Sequence, residues 1–160
     1  MKISCITTVF NEGELARHGI GSILAQSYED IELIVVDDGS ADDTRAILES
    51  ISDPRLLLIR QANDGLSAAR NKALEQVTGD YVCFLDADDY RPPWALKAIA
   101  DVIARDQPDV VFSRGSLSEI NGPLSPFYDT AQINHLTKLL QGPSLRFAPP
   151  ANPEAVSLGG

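Results

Sequence analysis

Closely spaced carboxylates are the feature of this sequence that most directly suggests chemistry. Asp86 and Asp88 follow an apolar run at 81–85, with the small residue Ala87 between them. Residues i and i+2 of an extended backbone point the same way, so both carboxylates can converge on one cation. Oxygen ligands select a hard cation such as Mg²⁺ or Mn²⁺, which usually keeps waters and shares phosphate oxygens. The pattern predicts a diphosphate site, and an acidic loop that caps the next helix is the alternative, preferred for Asp89.

A second pair of acids, Asp37 and Asp38, ends another apolar run. Gly39 permits a sharp turn after it, and Ser40 with Asp43 three residues on fits a capping box. Capping does not account for adjacent carboxylates at the end of a buried strand. The Asp38 carboxylate could accept a hydrogen bond from a ring N–H of uracil or of a base with a comparable donor, and a plain turn is an equal alternative.

Two further segments carry polar or aromatic side chains at predicted strand and helix ends. Thr8 and Phe10 close the first apolar run, and Asn11 is predicted to cap the helix that follows. The Phe10 ring could stack on a base or pack in the core. Arg70, about one turn inside a predicted helix, could reach an anionic ligand or the acidic loops, and a surface ion pair is its ordinary alternative.

The elements that must position these residues alternate between short β-rich runs and helical patterns, which is typical of a doubly wound α/β sheet. Strands are predicted at 2–9, 31–36, 56–60, 81–85 and 110–113, and helices at 12–26, 43–50, 66–77 and 93–106. Right-handed crossovers bring the strand ends to one edge, where open α/β sheets bind ligands. We expect a core at 1–114 and an irregular extension at 115–160, which holds six of the ten prolines.

Composition excludes several classes of protein. The 160 residues carry 13 Lys plus Arg against 23 Asp plus Glu, a formal charge of −10, which disfavours nucleic acid as a partner. No apolar run approaches the roughly 20 residues of a membrane-spanning helix, and the first residues lack the pattern of a signal peptide. Cys5 and Cys83 lie in apolar runs, which argues against a disulfide scaffold and favours a reducing cytoplasm. Oligomeric state stays open.

Four segments in this order resemble the family 2 glycosyltransferases of the GT-A fold: 8–12, 36–40, 65–71 and 85–89. The resemblance covers about the first 114 residues and implies a Rossmann-like, three-layer α/β/α domain with a mostly parallel sheet that binds a nucleotide sugar. It implies Asp86 and Asp88 as the metal-binding D-x-D pair. The residues for which it implies contact with the nucleotide are Thr8, Phe10, Glu12, Asp38, Arg70, Asp86, Ala87 and Asp88.

The chemistry implied by the resemblance is transfer of a sugar, with inversion, from a nucleoside-diphosphate donor to an acceptor hydroxyl. A UDP-sugar is the favoured donor, Mn²⁺ or Mg²⁺ the cofactor, and a saccharide or lipid-linked molecule the acceptor, with peripheral membrane association left open. The family's base usually lies downstream in a Glu-Asp pair, and no such pair follows Asp89. Asp129 and Glu154 are weak candidates, so the catalytic residue stays unassigned. The acceptor region looks incomplete, and the main alternative is a nucleotide-sugar-binding module without its base.

Overall fold

A computed structural model of the chain describes residues 1–111 and the backbone of 116–117 and 125–126. Met1–Gln107 belong to one compact unit and most of the rest to a second. The strands of the first unit are β1 (Ile3–Val9), β2 (Ile31–Asp37), β3 (Leu56–Arg60) and β4 (Tyr81–Phe84). Its helices are α1 (Glu14–Leu24), α2 (Thr44–Ser50), α3 (Leu66–Leu74) and α4 (Ala95–Asp106). In the second unit, β5 (Ser116–Leu117) and β6 (Ser125–Pro126) pair antiparallel.

The four strands of the first unit form a parallel sheet in the order β3-β2-β1-β4. The continuous apolar runs of β1 and β2 occupy its centre, as expected for strands covered on both faces. One face packs against α1, α2 and α4 through side chains such as Ile20, Leu48 and Leu96. The other face packs against α3, where Ala69 and Ala73 allow a close approach to Ile6 and Val36. The result is a three-layer α/β/α arrangement.

Four predicted strands and four predicted helices are present, with ends that differ from the prediction by at most three residues. The fifth predicted strand, 110–113, is not borne out where it is described, because Val110 and Val111 are not in a strand. Residues 112 and 113 lie outside the described part. The boundary at 114 and the extension at 115–160 stay predictions.

Candidate functional site

The carboxyl ends of β1, β2 and β4 surround a cavity of about 410 Å³, called here the strand-end cavity. Seven of the eight predicted site residues line it, and the eighth, Arg70, contacts one of the seven. The convergence follows from the parallel topology, because every strand ends at the same edge of the sheet. The cavity is lined by Thr8, Val9, Phe10, Glu12, Asp38, Asn63, Gly65, Leu66, Ala69, Asp86, Ala87 and Asp88.

Asp38 is buried at the base of this cavity and is already held by the protein. Its Oδ1 accepts hydrogen bonds from Gln61 Nε2 at 2.7 Å and from the Asp64 N–H at 2.9 Å, and its Oδ2 accepts one from the Gly65 N–H at 2.9 Å. Burial would raise the pKa of Asp38, but these three donors outweigh it and the pKa is lowered. The lowered pKa keeps Asp38 ionised. A carboxylate has about four acceptor positions, and the described residues fill three of them, which leaves one position, on Oδ2, for a ligand N–H.

Gly39 makes this arrangement sterically feasible. It has φ of +80°, and a Cβ atom at this position would lie 2.7 Å from the Asn63 backbone nitrogen. Only glycine therefore lets the turn after β3 approach closely enough to bond Asp38. The neighbouring acid has a different role, since Asp37 Oδ1 accepts the Ser40 N–H at 3.0 Å and stabilises the turn.

The predicted helix caps at Ser40 and Asn11 are wrong. The caps of α1 and α2 are Gly13 and Asp43, and neither helix receives a side-chain cap hydrogen bond. Instead the Asn11 N–H donates to Ser40 Oγ at 3.0 Å, and the Ala41 N–H donates to Asn11 Oδ1 at 2.8 Å. Asn11 has a positive φ of 54°, a conformation that Asn tolerates better than most residues. These polar residues link the loops after β1 and β2 rather than starting helices.

Helix α1 fixes the acidic loop at 86–89 from the side opposite α3. A Cβ atom on Gly19 would lie 2.3 Å from the Ala87 carbonyl oxygen, so the helix and the loop are in backbone contact. Farther along, the Arg91 N–H donates to Ser22 Oγ at 3.1 Å. Gln26 Nε2 donates to the carbonyls of 91 and 92, and its Oε1 accepts the Leu96 N–H. The glutamine thus satisfies the start of α4, and the predicted capping role of Asp89 is wrong.

Arg70 projects from α3 to the acidic loop. Its Nη2 lies 2.8 Å from Asp86 Oδ1, and its guanidinium lies 5.6 Å from the centre of the Phe84 ring. Within residues 1–111, Asp88 has no cationic side chain at ion-pair distance. The loop therefore presents one paired and one unpaired carboxylate to the cavity.

Negative charge at this edge is in excess. Partial burial raises the pKa of Glu12, and the charges of Asp88, Asp42 and Asp86 raise it further. The pKa of Asp89 is raised in the same way, by burial and then by Asp86 and Asp88. A bound cation would relieve this repulsion.

The donor set fits a divalent cation that is shared with a substrate. Among the described residues, no group of three or more His, Cys, Asp or Glu is arranged to hold a metal. The two carboxylates of Asp86 and Asp88 flank Ala87 on one cavity wall. One or two protein carboxylates, with substrate phosphates and waters completing the shell, is the usual environment of Mg²⁺.

The aromatic and polar side chains on the β1 side of the cavity are available to a ligand. Phe10 is 45% exposed, so it is not a core residue. Thr8 lies beside it on the same wall. Five lining residues were not predicted as site residues: Val9, Asn63, Gly65, Leu66 and Ala69. The Asn63-Asp64-Gly65 turn signal after β3 pointed to a loop at this edge. The base candidates Asp129 and Glu154 lie outside the described residues.

Comparison with known proteins gives consistent matches. The family described as Glycosyl transferase family 2 matches residues 4–149. Glycosyltransferase GlyA of Streptococcus pneumoniae is 37% identical over 129 residues, 79% of this chain and 18% of that protein. The Escherichia coli UDP-Glc:alpha-D-GlcNAc-diphosphoundecaprenol beta-1,3-glucosyltransferase WfaP is 36% identical over 69% of this chain and 43% of its own.

Solved structures agree with the sequence matches. The crystal structure of S. aureus TarS superposes with a TM-score of 0.64 at 30% identity, over 77% of this chain and 23% of TarS. The structure of S. aureus TarS 1-349 in complex with UDP-GlcNAc superposes with a TM-score of 0.62 at 27% identity, over 76% of this chain and 42% of that chain. The GT-A fold is thereby confirmed. The chain spans less than half the length of these relatives, and none of its described helices is long and apolar enough to cross a membrane.

Proposed function

The chain belongs to glycosyl transferase family 2, and from this premise we propose that it forms the donor-binding part of an enzyme that transfers a sugar from a UDP-sugar to an acceptor hydroxyl. The observation that carries the proposal is the convergence of seven predicted residues on the strand-end cavity. A binding module without transferase activity is not favoured, because the matched relatives are named as transferases.

The base of the nucleotide would lie between β1 and β2. Asp38 is held ionised, and the described part of the chain leaves it one acceptor position, which suits the ring N–H of uracil. The exposed Phe10 ring offers a stacking surface, and stacking of a base on an aromatic ring contributes about 1–3 kcal/mol. UDP is proposed over other nucleotides because WfaP is named for UDP-Glc and TarS 1-349 is seen with UDP-GlcNAc.

The diphosphate would lie at the acidic loop. Asp86 and Asp88 would hold Mn²⁺ or Mg²⁺, which when bound supplies positive charge for the leaving diphosphate. Arg70 is held near by its ion pair with Asp86 and can add a second positive charge on the same side. Both charges act where negative charge grows as the bond from the sugar to the phosphate breaks.

The acceptor half of the reaction is proposed on chemical grounds. Attack by an acceptor hydroxyl on the face opposite the diphosphate inverts the anomeric carbon and requires a base to remove the hydroxyl proton. The acids on α4, Asp101 and Asp106, do not line the cavity and are therefore poor candidates. A lipid-linked acceptor, of the kind in the name of WfaP, would bring the enzyme to a membrane surface, here the cytoplasmic one.

Thermal unfolding of the whole 160-residue chain with UDP, GDP and dTDP, each with and without Mn²⁺, tests the donor site. At about 100 times Kd, a ligand specific for the native state adds about 2.7 kcal/mol, which raises Tm by several degrees. We expect the largest rise with UDP and Mn²⁺, and its loss in Asp88→Ala. Asp101→Ala, which removes an exposed acid on α4, is the matched control and should keep the rise.

Each alternative result has a definite meaning. No rise with any nucleotide contradicts the donor site in this chain. A rise that is equal with and without Mn²⁺, and is kept in Asp88→Ala, contradicts the metal role of the acidic loop. A larger rise in Tm with GDP or dTDP than with UDP contradicts UDP as the nucleotide of the donor.

A further inference from the structure

The two cysteines of the described region are direct neighbours in the sheet. Cys5 of β1 and Cys83 of β4 are Cα partners in the parallel register. Their side chains point to the same face, where both pack in the core cluster that includes α1 and α4. Neighbouring strands lie about 4.8 Å apart, within the range of about 4.4–6.8 Å that Cα atoms of a disulfide span. The backbone therefore already has a spacing that a disulfide can bridge.

The two thiols differ in burial and in acidity. Cys5 is fully buried, whereas Cys83 is partly exposed. A hydrogen bond between the thiols, together with burial, raises the pKa of Cys5. The same bond lowers the pKa of Cys83 to about 7 against the effect of burial, with a further contribution from the positive charge of Arg91. Such a pair has one thiol that reacts as the thiolate and one that stays protonated beside it.

Arg91 supplies an independent structural observation. Its Nη2 donates to the Phe84 carbonyl at 3.3 Å, and Cys83 Sγ contacts that same carbonyl at 3.8 Å. Its Nε is buried and has no hydrogen-bond partner among the described residues. Its backbone is fixed by the bond to Ser22 Oγ, and its Nη2 lies at the same carbonyl that Cys83 Sγ contacts. A thiolate at Cys83 would give this cation a counter-charge.

We propose that Cys83 and Cys5 form a peroxide-sensitive dithiol that closes to a disulfide within the chain. The Cys83 thiolate sulfur attacks one oxygen of hydrogen peroxide, the O–O bond breaks, and the released hydroxide takes a proton to become water. The Cys5 sulfur then attacks the Cys83 sulfenic acid, and the hydroxyl leaves as a second water with the Cys5 proton. Two thiols are oxidised to one disulfide, and one peroxide is reduced to two waters. Cys83 is the reactive thiol and Cys5 the resolving one.

Peptide mapping of the whole chain after treatment with one equivalent of hydrogen peroxide tests this pairing. We expect the chain to lose two hydrogens in mass and to yield one linked peptide pair that contains Cys5 and Cys83. Dithiothreitol should restore both thiols. The proposal is overturned if both cysteines remain free to alkylation, if Cys83 is oxidised without linking to Cys5, or if the linkage joins two chains.

Two variants separate the proposed roles. In Cys5→Ser, the sulfenic acid at Cys83 should persist and be captured by dimedone, and the absence of any adduct would contradict the assignment of Cys83. Arg91→Gln should slow the loss of the Cys83 thiol by about two- to fivefold near pH 7, because the pKa of Cys83 rises and the thiolate fraction falls. Arg45→Gln, on the exposed side of α2, is the matched control and should react at the wild-type rate. Equal rates in the two arginine variants would show that Arg91 does not make the Cys83 thiol more reactive. The mapping of the wild-type chain decides the pairing even where a variant fails to fold.

Discussion

At the amino-terminal edge of the sheet, the Glu32 carboxylate accepts hydrogen bonds from Ser4 Oγ and from both the N–H and the hydroxyl of Thr78, and it pairs with Lys2 Nζ at 2.8 Å. At the carboxyl-terminal edge, Asp86 has one arginine and Asp88 has no cation among the described residues. Burial would raise the pKa of Glu32, but its donors lower it to about 2.

The difference separates stability from binding. A carboxylate whose acceptor positions are filled by its own protein stabilises the fold in its charged form. Carboxylates that repel one another at a cavity destabilise the ligand-free fold slightly and gain from a cation. The first edge is complete without a ligand, whereas the second is the edge at which we propose that a nucleotide and a cation bind. Opposite responses to loss of a carboxylate should therefore distinguish the edges.

The largest effect is expected at the amino-terminal edge. Glu32→Ala leaves the donors of Ser4, Thr78 and Lys2 without their acceptor, and we expect the free energy of unfolding at pH 7 to fall by on the order of 3 kcal/mol. Urea unfolding of the variant and the wild type measures this change in the free energy of unfolding. The thermal shift with UDP and Mn²⁺ should persist at a temperature where the variant is folded.

The control for this change is Glu49→Ala. Glu49 pairs with Arg60 and Arg45 on an exposed surface, where ion pairs contribute about 1 kcal/mol or less. Equal losses in the two variants would mean that the Glu32 network contributes no more than a surface ion pair, and the contrast between the edges would fail.

A smaller effect of opposite sign is expected at the carboxyl-terminal edge. Asp88→Asn removes one of the charges that raise the pKa of Glu12 and Asp89. At low salt, we expect the free energy of unfolding of the ligand-free variant to be about 0.5 kcal/mol higher than that of the wild type. The gain should vanish in about 1 M NaCl, where the Debye length is about 3 Å. A loss of stability at low salt would show that Asp88 supports the fold rather than a ligand.

The sequence predicted the helices and strands of the first unit well because they depend on local patterns, whereas the roles of the site residues stay predictions. The continuous apolar runs of β1 and β2 indicate buried parallel strands, and that topology brings Phe10, Asp38 and Asp88 to one edge. The resemblance to a family added the roles of these residues, which spacing alone left open.

The incorrect predictions concern contacts between loops that are distant in sequence. Ser40 and Asp43 match a capping box, but Ser40 bonds Asn11 instead, because the loops after β1 and β2 are adjacent across the sheet. The Leu96 N–H at the start of α4 donates to Gln26 Oε1, 70 residues earlier in the sequence. No local pattern near Asp89 indicates this hydrogen bond. Propensity rules describe a segment by its neighbours in sequence, so such partners require the tertiary structure.

The smallest expected effect is a pH dependence at Glu12. Because its pKa is raised in the native state, Glu12 binds a proton in the folded chain at a pH where the unfolded chain has released it. Folding is therefore favoured by protonation, and the wild type should gain stability relative to Glu12→Gln as pH falls from 7 towards the ordinary value of 4.5. At pH 7 the variant should be more stable by a few tenths of a kcal/mol. Urea unfolding of both proteins at pH 7, 6, 5 and 4.5 measures the difference.

The same series in the Asp88→Asn background gives the sharpest test of the charge imbalance at this edge. Asp88 is the charge that contributes most to the raised pKa of Glu12, after burial itself. In this background, the difference in free energy of unfolding between the chain with Glu12 and Glu12→Gln should be smaller at pH 7 than in the wild-type background. At pH 4.5 the difference should change little. A gap that is constant with pH in both backgrounds would mean that Glu12 titrates alike in the folded and unfolded chains. In that case the excess negative charge at the strand-end cavity would no longer support the proposal that a cation binds at this edge.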